Sequence, residues 1–315
     1  MKGSVPLVRA AVIDIGSNTT RLLVAEPDPE RQGAIVEIAA HRAFVRLTAA
    51  QRRHGIPPDK ARAIADAVGE QARAARTHGA GERLRVVATA ALRDAPDRDA
   101  LIARLSTAAG VAVEILSGEE EARLAFAGAT ASLAAEGAQR GATASLALDG
   151  IGSVVVADVG GGSTELAYGA PGGAPTWWTS LPIGSGALAE THLHDDPPTA
   201  AQIAAARAEA AATIAAAGCP AADVAWAVGG SATSLRRLCG EQLTAAALDN
   251  ALARTVAGPA HRAALDLDLH VERVRLLPAG LVLLAEVARA AQCPLHVGCG
   301  GLREGVVLDL LAQLR

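Results

Sequence analysis

The sequence predicts an α/β chain built as two related domains around a central cleft. Short apolar runs of strand length alternate with longer, Ala-rich segments of helical character along the 315 residues. Two stretches half a chain apart repeat one order: apolar run, Asp, Gly, hydroxyl residue, apolar run. Aligning Asp14 with Asp158 gives an offset of 158 − 14 = 144 and pairs Gly16 with Gly160 and Asn18 with Gly162. A repeat of that kind marks a duplicated domain, with the cleft between the copies.

The richer copy is residues 154–169, VVVADVGGGSTELAYG, read as strand, tight turn, strand. Its glycines, Gly160, Gly161 and Gly162, expose backbone N–H groups with no side chain in the way, which makes an anion nest. An ordinary hairpin needs fewer. Asp158 and Glu165 flank the nest, and like charges repel a phosphate unless a cation lies between. Mg²⁺, hard and oxygen-seeking, is the expected ion. The pattern predicts a metal-phosphate site. The other copy, residues 10–25, reads AAVIDIGSNTTRLLVA and carries Asp14, Ser17 and Asn18.

Composition narrows the partners. Half the residues are hydrophobic but only 2% are aromatic, so the core is built from Ala, Val and Leu. A net charge of −4 gives no global basic field for nucleic acid or an anionic membrane, and a polyanion would need a local arginine pocket. Arg9 and Asp14 flank and interrupt the early apolar run, which argues against a signal peptide. The best membrane candidate, residues 276–291, contains Pro278, Glu286 and Arg289. The four cysteines include no CxxC pair, and on a strand Cys293 and Cys299 would face away from His296, so zinc is not expected there. Reduced thiols in a cytoplasm are expected.

Taken in order, residues 34–47 read as further strand and 51–55 as a basic loop. Pro58 suits the first turn of a helix running to about His78. Residues 85–89 form a short apolar strand, and Arg93 follows where a loop leaving a strand could present it to a phosphate. A helix over 99–109 and a strand over 111–116 lead into SGEEEARLAF. Ser117 and Glu120 make a capping box, which explains Glu120 structurally. Glu121 continues an apolar stripe through Leu124, Ala125 and Gly128; Glu119 has a similar claim through Ala122 and Phe126. Burial would raise either carboxyl and fit it as a general base, and periodicity does not choose between them. Residues 131–153 are unpatterned and read as a connection. Beyond the 154–169 hairpin come strands around a Gly172-Gly173 turn, another glycine turn at 181–186, and a helix to Ala217. A strand over 224–228 then feeds Gly229-Gly230-Ser231 at a helix N-terminus, a third candidate anion site. Helices over 244–257 and 278–291, a strand over 296–300 and a closing helix from Leu302 complete the chain.

The segments AVIDIGSNTTRLLVAE, ATAALRDA, ILSGEEEARLAF, VVVADVGGGSTELAYG, SLPIGSGAL, WAVGGSATSL and GGLREGVVLDLL resemble, in this order, the exopolyphosphatase / guanosine pentaphosphate phosphohydrolase family. The resemblance covers nearly the whole chain. It implies two ribonuclease H-like domains of the actin-like ATPase and sugar kinase fold. Here they are expected over residues 1–130 and 131–315, with the closing helix 302–315 packed back on the first. It implies Glu121 as the base for the attacking water and Asp158 as the metal-linked aspartate, helped by Glu165. Gly160, Gly161, Gly162 and Ser163 match the phosphate cradle, Asp14, Ser17 and Asn18 the first phosphate motif, and Arg93 a phosphate-binding arginine. The activity implied is Mg²⁺-assisted release of terminal orthophosphate from polyphosphate. Guanosine pentaphosphate 5′-phosphohydrolase is the alternative; an actin-like kinase and an alarmone-binding regulator are further readings. A homodimer is implied as well. The chain departs from the family after Val45-Arg46-Leu47, where Thr48-Ala49-Ala50 replaces a glycine-containing loop. It also departs after Gly184, where an arginine is missing, and in lacking further C-terminal helical domains. The last departure leads to an expectation of short polyphosphate.

Overall fold

The computed structural model describes residues 8–313 apart from 32, 94, 140–150, 241, 294 and 299. Residues 140–150 of the expected connection, and Cys299 of the discounted zinc reading, lie outside the described residues.

The first half opens with β1 (Ala10–Ile15), β2 (Thr19–Pro27) and β3 (Ile35–Phe44), followed by α1 (Ala49–His54) and α2 (Pro58–Thr77). Then come β4 (Leu84–Ala88), α3 (Ala90–Arg93), α4 (Arg98–Ala109), β5 (Val113–Ile115) and α5 (Gly118–Gln139). The second half has β6 (Val154–Val159), β7 (Thr164–Gly169), β8 (Trp177–Leu181), α6 (Ser185–His192), α7 (Ala200–Ala217), β9 (Val224–Val228) and α8 (Gly229–Cys239). It continues through β10 (Gln242–Leu243), α9 (Ala245–Thr255), α10 (Ala260–Leu267), α11 (Val271–Val274), α12 (Leu277–Ala291), β11 (Leu295–Val297) and α13 (Leu302–Ala312).

The duplication is visible in the topology. One sheet runs β3-β2-β1-β4-β5 and the other β8-β7-β6-β9-β11, with β10 added outside β11. In both, the first three strands are antiparallel neighbours and the last two pair in parallel. Asp14 pairs with Arg21 across the first hairpin and Asp158 with Glu165 across the second, the same register 144 residues on (21 + 144 = 165). The turns match as well: Gly16 N–H donates to the Thr19 carbonyl and Gly160 N–H to the Ser163 carbonyl, each at 3.0 Å.

Each sheet buries two faces, which is why its central strands are apolar almost throughout. On the first sheet, Ile13, Ile15 and Val86 pack with Ile64, Val68 and Leu105 of α2 and α4. Its other face carries Val306 and Val307 of α13 with Leu124 of α5 against Val12 and Leu23. On the second sheet, Val155, Ala157 and Ala225 pack with α7, α9 and α12, and the opposite face takes Ala122 and Phe126 of α5. α5 and α13 therefore lie between the sheets, each covering a sheet from the other half of the sequence. They cross at glycines: a Cβ on Gly128 would overlap the Gly301 carbonyl, and one on Gly305 the Leu124 carbonyl.

Three local expectations are corrected. The basic segment over 51–55 is largely helix α1, because Thr48 accepts from Gln51 N–H and the Gln51 side chain accepts from Thr48 N–H. Residues 131–139 continue α5. The unassigned stretch between α9 and α12 holds α10 and α11. Among the described residues no helix is long and apolar enough to cross a membrane.

Candidate active site

The two glycine turns face each other across a cleft with a cavity volume of about 150 Å³. Asp14, Ser17, Asn18, Glu121, Asp158, Gly160, Gly161, Gly162, Ser163 and Glu165 all line it. The Gly229–Ser231 turn at the start of α8 forms a third wall.

Why the second turn is an anion nest follows from its carbonyls. The N–H groups of Ser185, Gly186 and Ala187, at the start of α6, donate to the carbonyls of Gly160 and Gly161 at 2.9 Å. Those carbonyls are thus turned to α6, and among the described residues no backbone acceptor takes the amides of Gly161, Gly162 or Ser163. Gly184 and Gly186 permit the approach, since a Cβ on either would come within 3.0 Å of Gly161 backbone atoms. The first turn is held in an equivalent way. Val45 and Arg46 N–H donate to the Asn18 carbonyl at 2.9 and 3.2 Å, and Leu47 N–H to Ser17 at 2.7 Å. Arg46 takes a positive φ of 54° to make this possible. The glycine turn at 181–186 and the VRL segment are therefore supports of the cradle, a role sequence reading missed.

The structure decides between the glutamates that periodicity left open. Glu119 is exposed, and both oxygens of Glu120 are taken by Arg123 at 2.7 Å. Glu121 is 3% exposed and faces the cleft from the first turn of α5, where Ser117 accepts from the Glu120 and Glu121 amides. Arg93 departs from its expected place. It does not line the cleft; it stands behind Glu121, donating to that carboxyl and, through Nε, to the Leu116 carbonyl at 3.1 Å. Its short helix α3 turns it inward, where a loop would have left it free. Arginines do line the cleft: Arg21 on β2, Arg273 on α11 and Arg303 on α13. Arg21 is readable in hindsight as the counterpart of Glu165, whereas Arg273 lies where no pattern was visible.

The cleft holds both buried carboxylates and buried arginines. Among the carboxylates, Glu165 raises the pKa of Glu121 and of Asp158, and Asp158 raises that of Glu121. Burial pushes Asp158 up to about 7, with Glu165 and Asp14 adding to it. Burial and the neighbouring Glu165 carry Glu121 well above the usual carboxylate range, against the pull of Arg93. Glu165 is raised by burial too, although the Ser180 hydroxyl donates to it at 2.8 Å. Among the arginines, burial lowers Arg21 and Arg273 to about 10, with Arg303 and Arg42 acting on Arg21 against Asp14, and Arg42 on Arg273. A cation beside the carboxylates and a polyanion beside the arginines would relieve both.

The carboxylates fit a hard cation. Their donors are all oxygen, and Asp14 Oδ1 is buried with no hydrogen-bond partner. Asp158 is fixed beneath Gly229, whose φ of +79° and contact with that carboxylate exclude any side chain. No three His, Cys, Asp or Glu side chains among the described residues converge tightly enough to cage an ion. Mg²⁺ keeps several waters and takes one or two carboxylates plus substrate phosphates, so the oxygen donors of Asp158 and the unpartnered Asp14 Oδ1 are of the kind it uses.

A family model described as the Ppx/GppA phosphatase family matches residues 28–314. The chain belongs to this family. Exopolyphosphatase 1 of Mycobacterium leprae is 31% identical over 325 residues, spanning 96% of this chain and 90% of that protein. Guanosine-5'-triphosphate,3'-diphosphate pyrophosphatase of Vibrio cholerae is 27% identical, spanning 97% of this chain and 60% of its own length. Among solved structures, the Ppx/GppA enzyme of Aquifex aeolicus superposes with a TM-score of 0.75 at 25% identity, covering 96% of this chain and all of that one. The fold is accordingly that of this phosphatase family, whose members hydrolyse phosphoanhydride bonds.

Proposed function

We propose that this chain is an exopolyphosphatase, releasing terminal orthophosphate from inorganic polyphosphate by hydrolysis. The observation that carries the reading is a single cleft lined by buried carboxylates, by the arginines Arg21 and Arg273 and by the two glycine turns. The terminal phosphate lies between the turns, where the free amides of Gly161, Gly162 and Ser163 meet the charge that spreads over its oxygens in a loose transition state. Glu121 accepts the proton of the attacking water as the new P–O bond forms. Arg93 orients that carboxyl through its direct bond. The terminal bridging P–O bond breaks, and Arg21 and Arg273 take up the charge left on the shortened chain. Mg²⁺ held at Asp158, with Asp14 and Glu165 beside it, would offset the charge of the carboxylates and of the terminal phosphate.

Guanosine pentaphosphate 5′-phosphohydrolase is the second reading, supported by the Vibrio cholerae relative. A homodimer, a cytoplasmic setting and a preference for short chains complete the proposal, as the family resemblance and the low lysine content support. Phosphate release from short polyphosphate, long polyphosphate and guanosine pentaphosphate, each with and without Mg²⁺, tests the substrate, the chain-length preference and the metal. Release from none of them sinks the reading. Transfer to an added acceptor in place of water would make the chain a kinase.

A further inference from the structure

The two phosphate loops belong to different domains, and one phosphate touches both only if their separation is fixed. α1 and α6 occupy equivalent places in the two halves, each following the third strand of its sheet, and they meet across the boundary. Ala49 N–H, at the first position of α1, donates to Glu190 Oε2 on α6 at 2.7 Å. Three residues on from that start, the Arg52 guanidinium rests on the second phosphate loop, where a Cβ on Gly162 would come within 2.7 Å of Nη1. Beside it Ser17 Oγ of the first loop lies against Gly161, 2.6 Å from where a Cβ would stand. These groups border a second cavity of about 450 Å³ between α1 and α6, which shares Ser17, Asn18 and Gly161 with the reaction cleft. Arg52 lines this cavity and not the cleft, so it reaches the reacting phosphate only through the loop.

We propose that Arg52 is a positioning residue that, with Glu190, latches the second phosphate loop against the first. The latch works in two ways. It fixes the distance between Ser17 and Gly161, so that a phosphate enters a cradle already assembled and loses less freedom on binding. It also places a positive charge on the outer face of the Gly161–Ser163 loop, adding to the field of amides that face the cleft. Glycine at 162 is required on this account because any side chain would displace the guanidinium. The function of the latch rests on the phosphatase reading, but its existence is testable by binding alone.

Orthophosphate titrated by calorimetry into the full chain, as wild type, Arg52→Ala, Arg52→Lys and Glu190→Ala, provides the test. Arg52→Ala is expected to weaken orthophosphate binding by about tenfold, the scale of one charge-assisted contact. Arg52→Lys should fall between, Glu190→Ala should weaken binding without touching the loop, and added guanidinium should restore part of the affinity of Arg52→Ala. A merely structural arginine would give no guanidinium rescue, and that result overturns the proposal. Affinities of Arg52→Ala and Glu190→Ala within about twofold of wild type overturn it as well. A wild type that binds orthophosphate yet releases none from polyphosphate would sink the phosphatase reading and leave the latch to be judged on these affinities.

Discussion

Arg93 and Glu121 are bonded to each other, with the carboxyl between the guanidinium and the cleft. A buried carboxyl whose cation stands behind it has its free lone pairs turned to the substrate side, which is the arrangement a base for water needs. Replacing Glu121 by Gln keeps the shape and the bond from Arg93 but removes the proton acceptor. Glu121→Gln is expected to fold, to bind orthophosphate, and to lose about 10² or more in kcat. Steady-state phosphate release with a thermal melt alongside checks this, and wild-type turnover would remove Glu121 from the mechanism.

The same pair predicts a pH effect. Arg93 lowers the Glu121 pKa against burial and Glu165. Arg93→Ala removes the lowering influence, so the carboxyl should hold its proton to higher pH. The acidic limb of the kcat profile is expected to move upward in pH, with the basic limb less affected. An unshifted acidic limb would mean that Arg93 does not tune Glu121.

Protons and a cation compete for the carboxylates. Asp158 is raised from 3.8 to about 7 in the folded state. A raised acid contributes stability that is complete below its unfolded pKa and is lost as pH rises through the folded value. The metal-free protein should therefore lose stability between about pH 4 and pH 7 on account of this group. Mg²⁺ needs the ionised carboxylates, so its stabilising effect should be larger at pH 8 than at pH 6. Thermal melts at both pH values, with and without Mg²⁺, test this, and an equal Mg²⁺ effect at both would contradict it.

The crossing of α5 and α13 is predicted to be intolerant of a methyl group. At Gly305 a Cβ would overlap the Leu124 carbonyl, which is backbone and cannot rotate away. Gly305→Ala is expected to cost ~1–3 kcal/mol or more by overpacking. Gly258, where an added Cβ meets nothing within 4 Å, provides the comparison. Chemical denaturation of both variants checks the difference.

Much of this was legible in the sequence because the duplication left a readable trace. The offset between Asp14 and Asp158 survives as equal strand register and equal turn hydrogen bonds. The cleft residues expected from the two hairpins come together because a turn fixes its own geometry within a few residues. Arg273 and the direction of Arg93 were not legible for the opposite reason. Each depends on contacts between segments far apart in the chain, and a short helix such as α3 or α11 carries no periodicity. α1 is an intermediate case: the Thr48 and Gln51 capping signal was present, but the basic residues beside it read as a loop.

The exchange of α5 and α13 between the halves has a consequence for how the protein is made. Val306 and Val307 cover a face of the first sheet that includes Ala10 and Val12. Among the described residues no other helix of the first half covers that face except through Leu124 of α5, a helix that is itself seated on the second sheet. A ribosome that has finished the first domain's strands has therefore not finished its core. The earliest strand stays uncovered on one side until residues 302–312 emerge, so the two halves mature as a single cooperative unit and not one after the other.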